Sequence, residues 1–219
     1  MNDENRYYPV FLDLKDRLCV VVGGGLVALR KVESLMSAGA KVRVVSPAVV
    51  PEIQDLEGVE INLKSYDSHD LAGAWLVIAA TDDEAVNLAV SRDANRRRIF
   101  CNAVDRPEAC SFIVPSVVER GPIKIAISTG GVSPALAKRL RMELGVMIGD
   151  EYVGLARILG ALRPLVLNQE GGHEAHKRVF DVLVNSDLLD AIQRHDTELV
   201  HEILEQAMGQ RIDLEGILP

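Results

Sequence analysis

Apolar positions along this chain fall into two kinds of block that alternate. Leu18-Cys19-Val20-Val21-Val22, Lys41-Val42-Arg43-Val44-Val45 and Trp75-Leu76-Val77-Ile78-Ala79-Ala80 are short runs dominated by apolar, mostly β-branched residues. Such runs suit strands buried on both faces of a parallel sheet. Between them, Val27–Ala38 and Glu84–Arg97 interleave apolar and charged residues at helical spacing. Gly39 closes the first helix, and Thr81-Asp82-Asp83-Glu84 opens the second with a capping group and first-turn acids. Val59–Lys64 alternates apolar and polar residues, which predicts an outer or edge strand. Tyr7–Leu14 predicts a short opening strand, and Arg98-Ile99-Phe100-Cys101 a further one. The alternation implies a doubly wound α/β sheet over residues 1–113.

The pattern changes after Pro115. Ile123–Ser128 reads as a strand with one face solvated or paired with another chain. Thr129-Gly130-Gly131-Val132-Ser133-Pro134 is a loop in which Ser133 caps a helix beginning at Pro134. Only helices follow, at about 134–148, 150–162, 173–184 and 197–208. Gln169-Glu170-Gly171-Gly172 is expected as a linker, and 209–219 as a frayed end. The resulting plan has three parts: 1–113, 114–148 and a helical 149–219.

The first strand stops at Gly23-Gly24-Gly25-Leu26-Val27-Ala28, and a helix starts at once. This is the G-x-G-x-x-A form of a dinucleotide fingerprint in its strand-turn-helix setting, the mark of a Rossmann-type sheet. Gly23 permits the tight turn, Gly25 lets backbone approach a pyrophosphate, and Ala28 allows close helix–strand packing. The helix N-terminus supplies free N–H groups and a positive dipole end. A structural glycine turn without a ligand is the alternative.

Ligands of open parallel sheets bind beyond the strand C-termini. Gly23–Val27, Ser46-Pro47-Ala48, Ala80-Thr81-Asp82 and Asn102-Ala103-Val104-Asp105 all end there. The place after the second strand, where an acid usually meets the ribose, holds Ser46, so this position does not choose between NAD and NADP. Arg43 is read as a solvated side chain, or as a partner for a 2′-phosphate. Asp105 has two readings of equal standing, a turn-starting aspartate and an acid facing the ligand as general base.

Composition narrows the classes. The 219 residues are 48% hydrophobic and 26% charged, with a net charge of −8. That balance is ordinary for a globular protein and argues against nucleic-acid binding. Cys19, Cys101 and Cys110 are odd in number and form no C-x-x-C pair. A disulfide scaffold and structural zinc are not expected, and a reducing cytoplasm fits. The polar, acidic N-terminus is followed by no signal-peptide core, and no apolar run is long enough for a membrane span. His173 and His176 share a helix face at i, i+3, as surface histidines or as two metal ligands lacking a third; no metal site is expected. Lys138, Arg139 and Arg141 form either a solvated helix face or a basic rim for an anionic substrate.

Three segments together resemble one family. They are Tyr8-Pro9-Val10-Phe11-Leu12-Asp13-Leu14, Gly23–Lys31, and a block from Asn102-Ala103-Val104-Asp105 through Ser111-Phe112-Ile113-Val114-Pro115-Ser116 to Ser128–Ala137. Over about residues 7–145 the chain resembles precorrin-2 dehydrogenase, the N-terminal module of siroheme synthases. The resemblance implies NAD-dependent oxidation of precorrin-2 to sirohydrochlorin by a cytoplasmic homodimer, with 114–148 as a dimerisation region. It implies cofactor contacts at Gly23, Gly24, Gly25, Leu26 and Val27, at Ser46, Pro47 and Ala48, at Thr81, and at Asn102 and Val104. It favours the functional reading of Asp105, and a substrate with many carboxylates gives Lys138, Arg139 and Arg141 a partner beside Gly130, Gly131 and Ser133. Some members also insert ferrous iron, so a bifunctional dehydrogenase and ferrochelatase is the alternative; a non-catalytic NAD-sensing module is a third. The chain's length leads us to expect no methyltransferase module.

Overall fold

The computed structural model describes residues 7–169 and 172–213. It divides the chain into two compact units, one ending at Val114 and the other beginning at Pro115.

The first unit is a five-stranded parallel sheet. Its strands are β1 (Leu18–Val22), β2 (Lys41–Ser46), β3 (Val59–Leu63), β4 (Leu76–Ala79) and β5 (Phe100–Ala103). They lie in the order β3-β2-β1-β4-β5, with Val21 level with Val44 and Ile78 in neighbouring strands. The outer position of β3 matches the alternation in its sequence. Pleating sends successive residues of the central strands to opposite faces. Cys19 and Val21 pack with Ala28, Val32 and Leu35 of α1 (Leu26–Ser37). Val20 and Val22 pack on the other face, with Val90 and Ala94 of α3 (Glu84–Arg97). Both layers are almost wholly buried, each large aliphatic side chain contributing about 1.5–3 kcal/mol.

Two local expectations are corrected, and one short helix went unread. Tyr7–Leu14 is not a strand. Only Leu14 is buried while Tyr8 and Phe11 stand in solvent, and Pro9 lacks the N–H a ladder needs. The strand expected from Arg98 begins at Phe100, because Arg98 caps α3 in the left-handed region at φ 58. A short helix, α2 (Pro51–Gln54), follows β2 and buries Ile53.

The second unit opens with an antiparallel hairpin of β6 (Ser116–Arg120) and β7 (Ile123–Ile127), whose ends Arg120 and Ile123 pair. The Gly121-Pro122 loop turns at Gly121, φ 51. Five helices follow among the described residues: α4 (Pro134–Met147), α5 (Asp150–Leu167), α6 (Gly172–Val184), α7 (Leu188–Gln193) and α8 (Thr197–Met208). Leu155, Ile158, Leu162 and Val166 of α5 meet Leu183, Leu188, Ile192, Val200 and Leu204 in one core. This packing carries α5 through Pro164, beyond the expected end at 162, because buried Leu162 and Val166 offset the missing hydrogen bond. Ile212 is buried in the same core, so the expected fraying does not hold up to that point; residues 214–219, and Glu170 and Gly171 of the expected linker, lie outside the described residues. No helix among the described residues is long and apolar enough to cross a membrane.

Candidate functional site

The C-terminal ends of the first unit's strands open onto a cleft of about 650 Å³. Gly23, Gly24, Gly25, Leu26 and Val27 line it from the first turn. Ser46, Pro47 and Ala48 line it beyond β2, Thr81, Asp82 and Asp83 beyond β4, and Val104 and Asp105 beyond β5.

The three glycines do different work. Gly23 has φ 126, and an added Cβ there would strike the Ala80 carbonyl. At Gly24 it would strike the Ala48 carbonyl and approach Ser46 Oγ to 2.9 Å. At Gly25 it would meet nothing within 4 Å. Gly23 and Gly24 therefore let strand ends close on one another, whereas Gly25 keeps space free at the helix start. No side chain caps α1, and its first turn holds no acid. Its leading N–H groups are left for an incoming acceptor, and the dipole there favours an anion. A dinucleotide's phosphates fit this turn.

The loop after β2 is fastened to the glycine turn. Val50 N–H donates to the Gly24 carbonyl at 2.8 Å, and Gly23 N–H to Val45 at 3.0 Å. The buried Ser46 hydroxyl donates to the Ala48 carbonyl at 2.7 Å. Ser46 thus shapes the wall by holding Ala48 in place. Arg43 is partly exposed but not free for a phosphate; its guanidinium donates to Glu60 at 2.8 Å and to the Asp70 carbonyl at 3.3 Å.

Two residues at the wall went unread in the sequence. Asn87 is buried inside α3, where it donates to the Thr81 carbonyl at 2.8 Å and accepts from the Thr81 hydroxyl at 2.8 Å. A polar residue in the helix's buried stripe was the available signal. Asn87 stands behind the wall, whereas Tyr66 lines the cleft itself and donates to Asp93 at 3.1 Å. Burial, then the Asp93 bond and charge, pushes its hydroxyl above the usual tyrosine range.

Asp105 sits at φ 60 in the turn closed by Arg106 N–H to Ala103 O, 3.2 Å. This is the third position of a four-residue turn, where positive φ favours Gly or Asn. Among the described residues Asp105 makes no hydrogen bond or ion pair. Asp83, by contrast, is occupied as the α3 cap, accepting from Ala85 at 2.8 Å and Val86 at 3.2 Å. Arg106 anchors the turn to Glu84 at the start of α3. Asn102, expected at the cofactor, does not line the cleft; its amide donates to the Phe112 carbonyl at 3.0 Å. Neighbouring Cys101 is buried, which pushes its thiol up to about 11.

The other expected residues belong to the second unit. Gly130 and Gly131 turn at φ 64 and φ 90. Ser133 caps α4, accepting from Leu136 N–H at 3.2 Å. Arg139 is paired with Glu143 at 2.7 Å, a bond that raises its already high pKa. Lys138 and Arg141 make no ion pair among the described residues. His176 faces the Gln169 carbonyl at 2.9 Å.

The cleft can hold a nicotinamide dinucleotide, and likeness to known proteins points the same way. A family model described as NAD(P)-binding matches residues 10–116. A second, described as sirohaem biosynthesis protein central, matches residues 120–147. Siroheme synthase of Citrobacter koseri is 40% identical over 214 residues, covering 96% of this chain and 47% of that protein. Siroheme synthase of Thioalkalivibrio sulfidiphilus is 40% identical over 210 residues, 94% of this chain and 43% of that protein. The chain thus spans about half the length of the curated relatives it matches. The solved structure of SirC, a precorrin-2 dehydrogenase, superposes with a TM-score of 0.77 at 26% identity, over 93% of this chain and 100% of that one. Over nearly its whole length the chain is therefore similar to siroheme synthases, of which it spans about half, and to a precorrin-2 dehydrogenase.

Proposed function

We propose that this chain oxidises precorrin-2 to sirohydrochlorin with NAD, and that Asp105 is the general base. The observation that carries the reading is one cleft holding both an open, uncapped helix N-terminus at Gly25 and an unpartnered carboxylate at Asp105. The bound nicotinamide supplies a hydride acceptor. The hydrogen leaving as hydride is matched by one leaving as a proton, and a free carboxylate at the cleft accepts that proton. A group already committed, as Asp83 is to its helix, cannot serve.

The lining favours NAD over NADP. It includes the carboxylates of Asp82, Asp83 and Asp105 and no Lys, Arg or His. Lys64, next to the lining residue Ser65, is spent on buried Asp70 at 2.6 Å. A 2′-phosphate would find like charge and no counter-ion.

Lys138 and Arg141 are the cations we assign to the substrate's carboxylates, with Gly130, Gly131 and Ser133 shaping the adjoining loop. Arg139 contributes less, since Glu143 already holds it. A homodimer is part of the reading: Val132, Met142, Val146 and Met147 stand exposed on and before α4, an apolar set that association would cover. Light scattering that gave a monomer mass would remove the dimer. None of Cys19, Cys101 and Cys110 forms a disulfide, which suits a reducing cytoplasm.

The test is an anaerobic assay with precorrin-2 and NAD, following NADH and the tetrapyrrole spectrum together. NADH rising in step with sirohydrochlorin is the expected outcome. NAD binding without turnover would defeat the proposal. Ferrous iron added afterwards, as a substrate, separates a chelating chain from a dehydrogenase alone by insertion above the spontaneous rate.

A further inference from the structure

β5 is the outer strand of its sheet, so every second N–H along it points away from β4. Those groups lack a strand partner, yet Cys101 and Ala103 are both buried. The segment after the Asp105 turn supplies acceptors instead. Cys101 N–H donates to Ser111 Oγ at 2.8 Å, and Ser111 N–H returns a bond to the Cys101 carbonyl at 2.8 Å. Ala103 N–H donates to the Cys110 sulfur at 3.2 Å.

Cys110 does more than fill an edge. Its Sγ also lies 3.1 Å from the Arg106 carbonyl and 3.2 Å from the Ala103 carbonyl, so its one S–H can donate to either. Ala103 and Arg106 are the two ends of the turn that carries Asp105. The thiol therefore bridges both ends of a turn whose third residue sits at φ 60, a conformation costly for a residue with a Cβ. Such strain persists only where surrounding bonds over-determine it. Asn102 adds to this, its amide reaching Sγ at 3.6 Å.

We propose that Cys110 is a positioning residue for Asp105, its thiol holding the turn so that the carboxylate faces the cleft. The proposal rests on the reading of Asp105 as general base. Alanine at 110 leaves the buried Ala103 N–H without an acceptor and frees the Arg106 end of the turn. Serine keeps a donor and an acceptor on a shorter bond and restores part of the hold.

The experiment compares wild type with Cys110→Ala and Cys110→Ser, each alone and with Asp105→Asn, as full chains. Amide exchange at Ala103, read by NMR, should quicken by about tenfold or more in Cys110→Ala, as when one backbone bond opens. Turnover should fall about 10- to 100-fold, the effect of a small displacement of a reacting group. The NAD dissociation constant should stay unchanged, Cys110→Ser should recover part of kcat, and Cys110→Ala should cost nothing further once Asp105→Asn is present. Unchanged Ala103 exchange overturns the proposal, as does unchanged kcat or a loss of kcat that merely follows loss of NAD binding or melting temperature. In those cases wild type still turns over, and only the role of Cys110 falls. No turnover by wild type overturns this proposal together with the reading of Asp105 beneath it.

Discussion

Gly24 lies against the carbonyl of Ala48 so closely that a Cβ cannot fit between them. The Ser46 hydroxyl donates to that carbonyl at 2.7 Å and itself stands 2.9 Å from where the Cβ would lie, so the loop cannot easily give way. Gly24→Ala should destabilise the chain by about 1–3 kcal/mol, the usual range for overpacking, and should weaken NAD binding with it. Gly25→Ala should separate the two effects. Its added methyl meets only open space at an ordinary φ of −88, so stability should drop by only about 0.5–1 kcal/mol through poorer capping. The methyl would occupy the approach to the helix N-terminus, and NAD affinity should fall on the order of tenfold or more. Urea titrations with and without NAD measure both quantities. Equal losses of stability in the two variants would show that the glycines act alike.

Asp105 holds a conformation better suited to glycine, and it does so without a bonding partner. Asp105→Gly should remove left-handed strain of roughly 1–2 kcal/mol and add roughly 0.4–1 kcal/mol of unfolded-state entropy. The balance is a slightly more stable protein that does not turn over. Asp105→Asn keeps a residue tolerant of this φ and removes only the proton acceptor. It should bind NAD normally and lose about 10²- to 10⁴-fold in kcat. Melting temperature and anaerobic turnover of both variants decide this. A Gly variant less stable than wild type would mean that the turn is not strained.

The sheet and most helices were legible because their packing agrees with local pattern. Buried runs such as Val20–Val22 have one place to go in a parallel sheet, and α3 and α8 have the expected limits, Glu84–Arg97 and Thr197–Met208. Readings failed where tertiary contacts decide. Tyr7–Leu14 has a strand-like composition but no neighbouring edge to join. β6 has only Val117 and Val118 as apolar residues, followed at once by Glu119 and Arg120, and this pattern does not stand out without its partner β7. α7 spans six residues and is held by Leu188, Ala191 and Ile192 in a core that no local window contains. In the cleft, residues that line the wall were readable from the strand ends, but residues that set their positions were not. Asn87 and Cys110 act through bonds to backbone several residues away, and such bonds have no periodicity.

Thr81 and Asn87 form one such unit. Asn87 satisfies the Thr81 carbonyl, hydroxyl and N–H, the last at 3.3 Å. Asn87→Ala should cost about 1–3 kcal/mol, the penalty for leaving such groups unmade. Since Thr81 faces the cleft, its loosened backbone should also weaken NAD binding. Asn87→Asp keeps the acceptor for the hydroxyl but sets a carboxylate against the Thr81 carbonyl, so it should be no better than alanine. Chemical denaturation followed by NAD titration tests this, and an alanine variant as stable as wild type would show the unit to be dispensable.

Cofactor choice follows from which charges are free. Ser46 stands where an acid commonly meets the ribose, and Arg43, the nearby cation a phosphate would draw, is tied to Glu60 and the Asp70 carbonyl. The remaining charged groups on the cleft wall are carboxylates. NADP should therefore bind roughly 10- to 100-fold more weakly than NAD, since juxtaposed like charge costs binding energy. The gap should shrink at high salt, which screens exposed charges. Ala48→Arg should narrow it further, because an exposed side chain beyond β2 then carries a guanidinium into the lining and guanidinium groups pair well with phosphate. Ala48 fastens the loop through its backbone carbonyl, so this change should leave stability intact. Titration of wild type and Ala48→Arg with both cofactors at low and high salt is the measurement. Equal affinity of wild type for NAD and NADP at low salt would mean that the acids do not face the ribose.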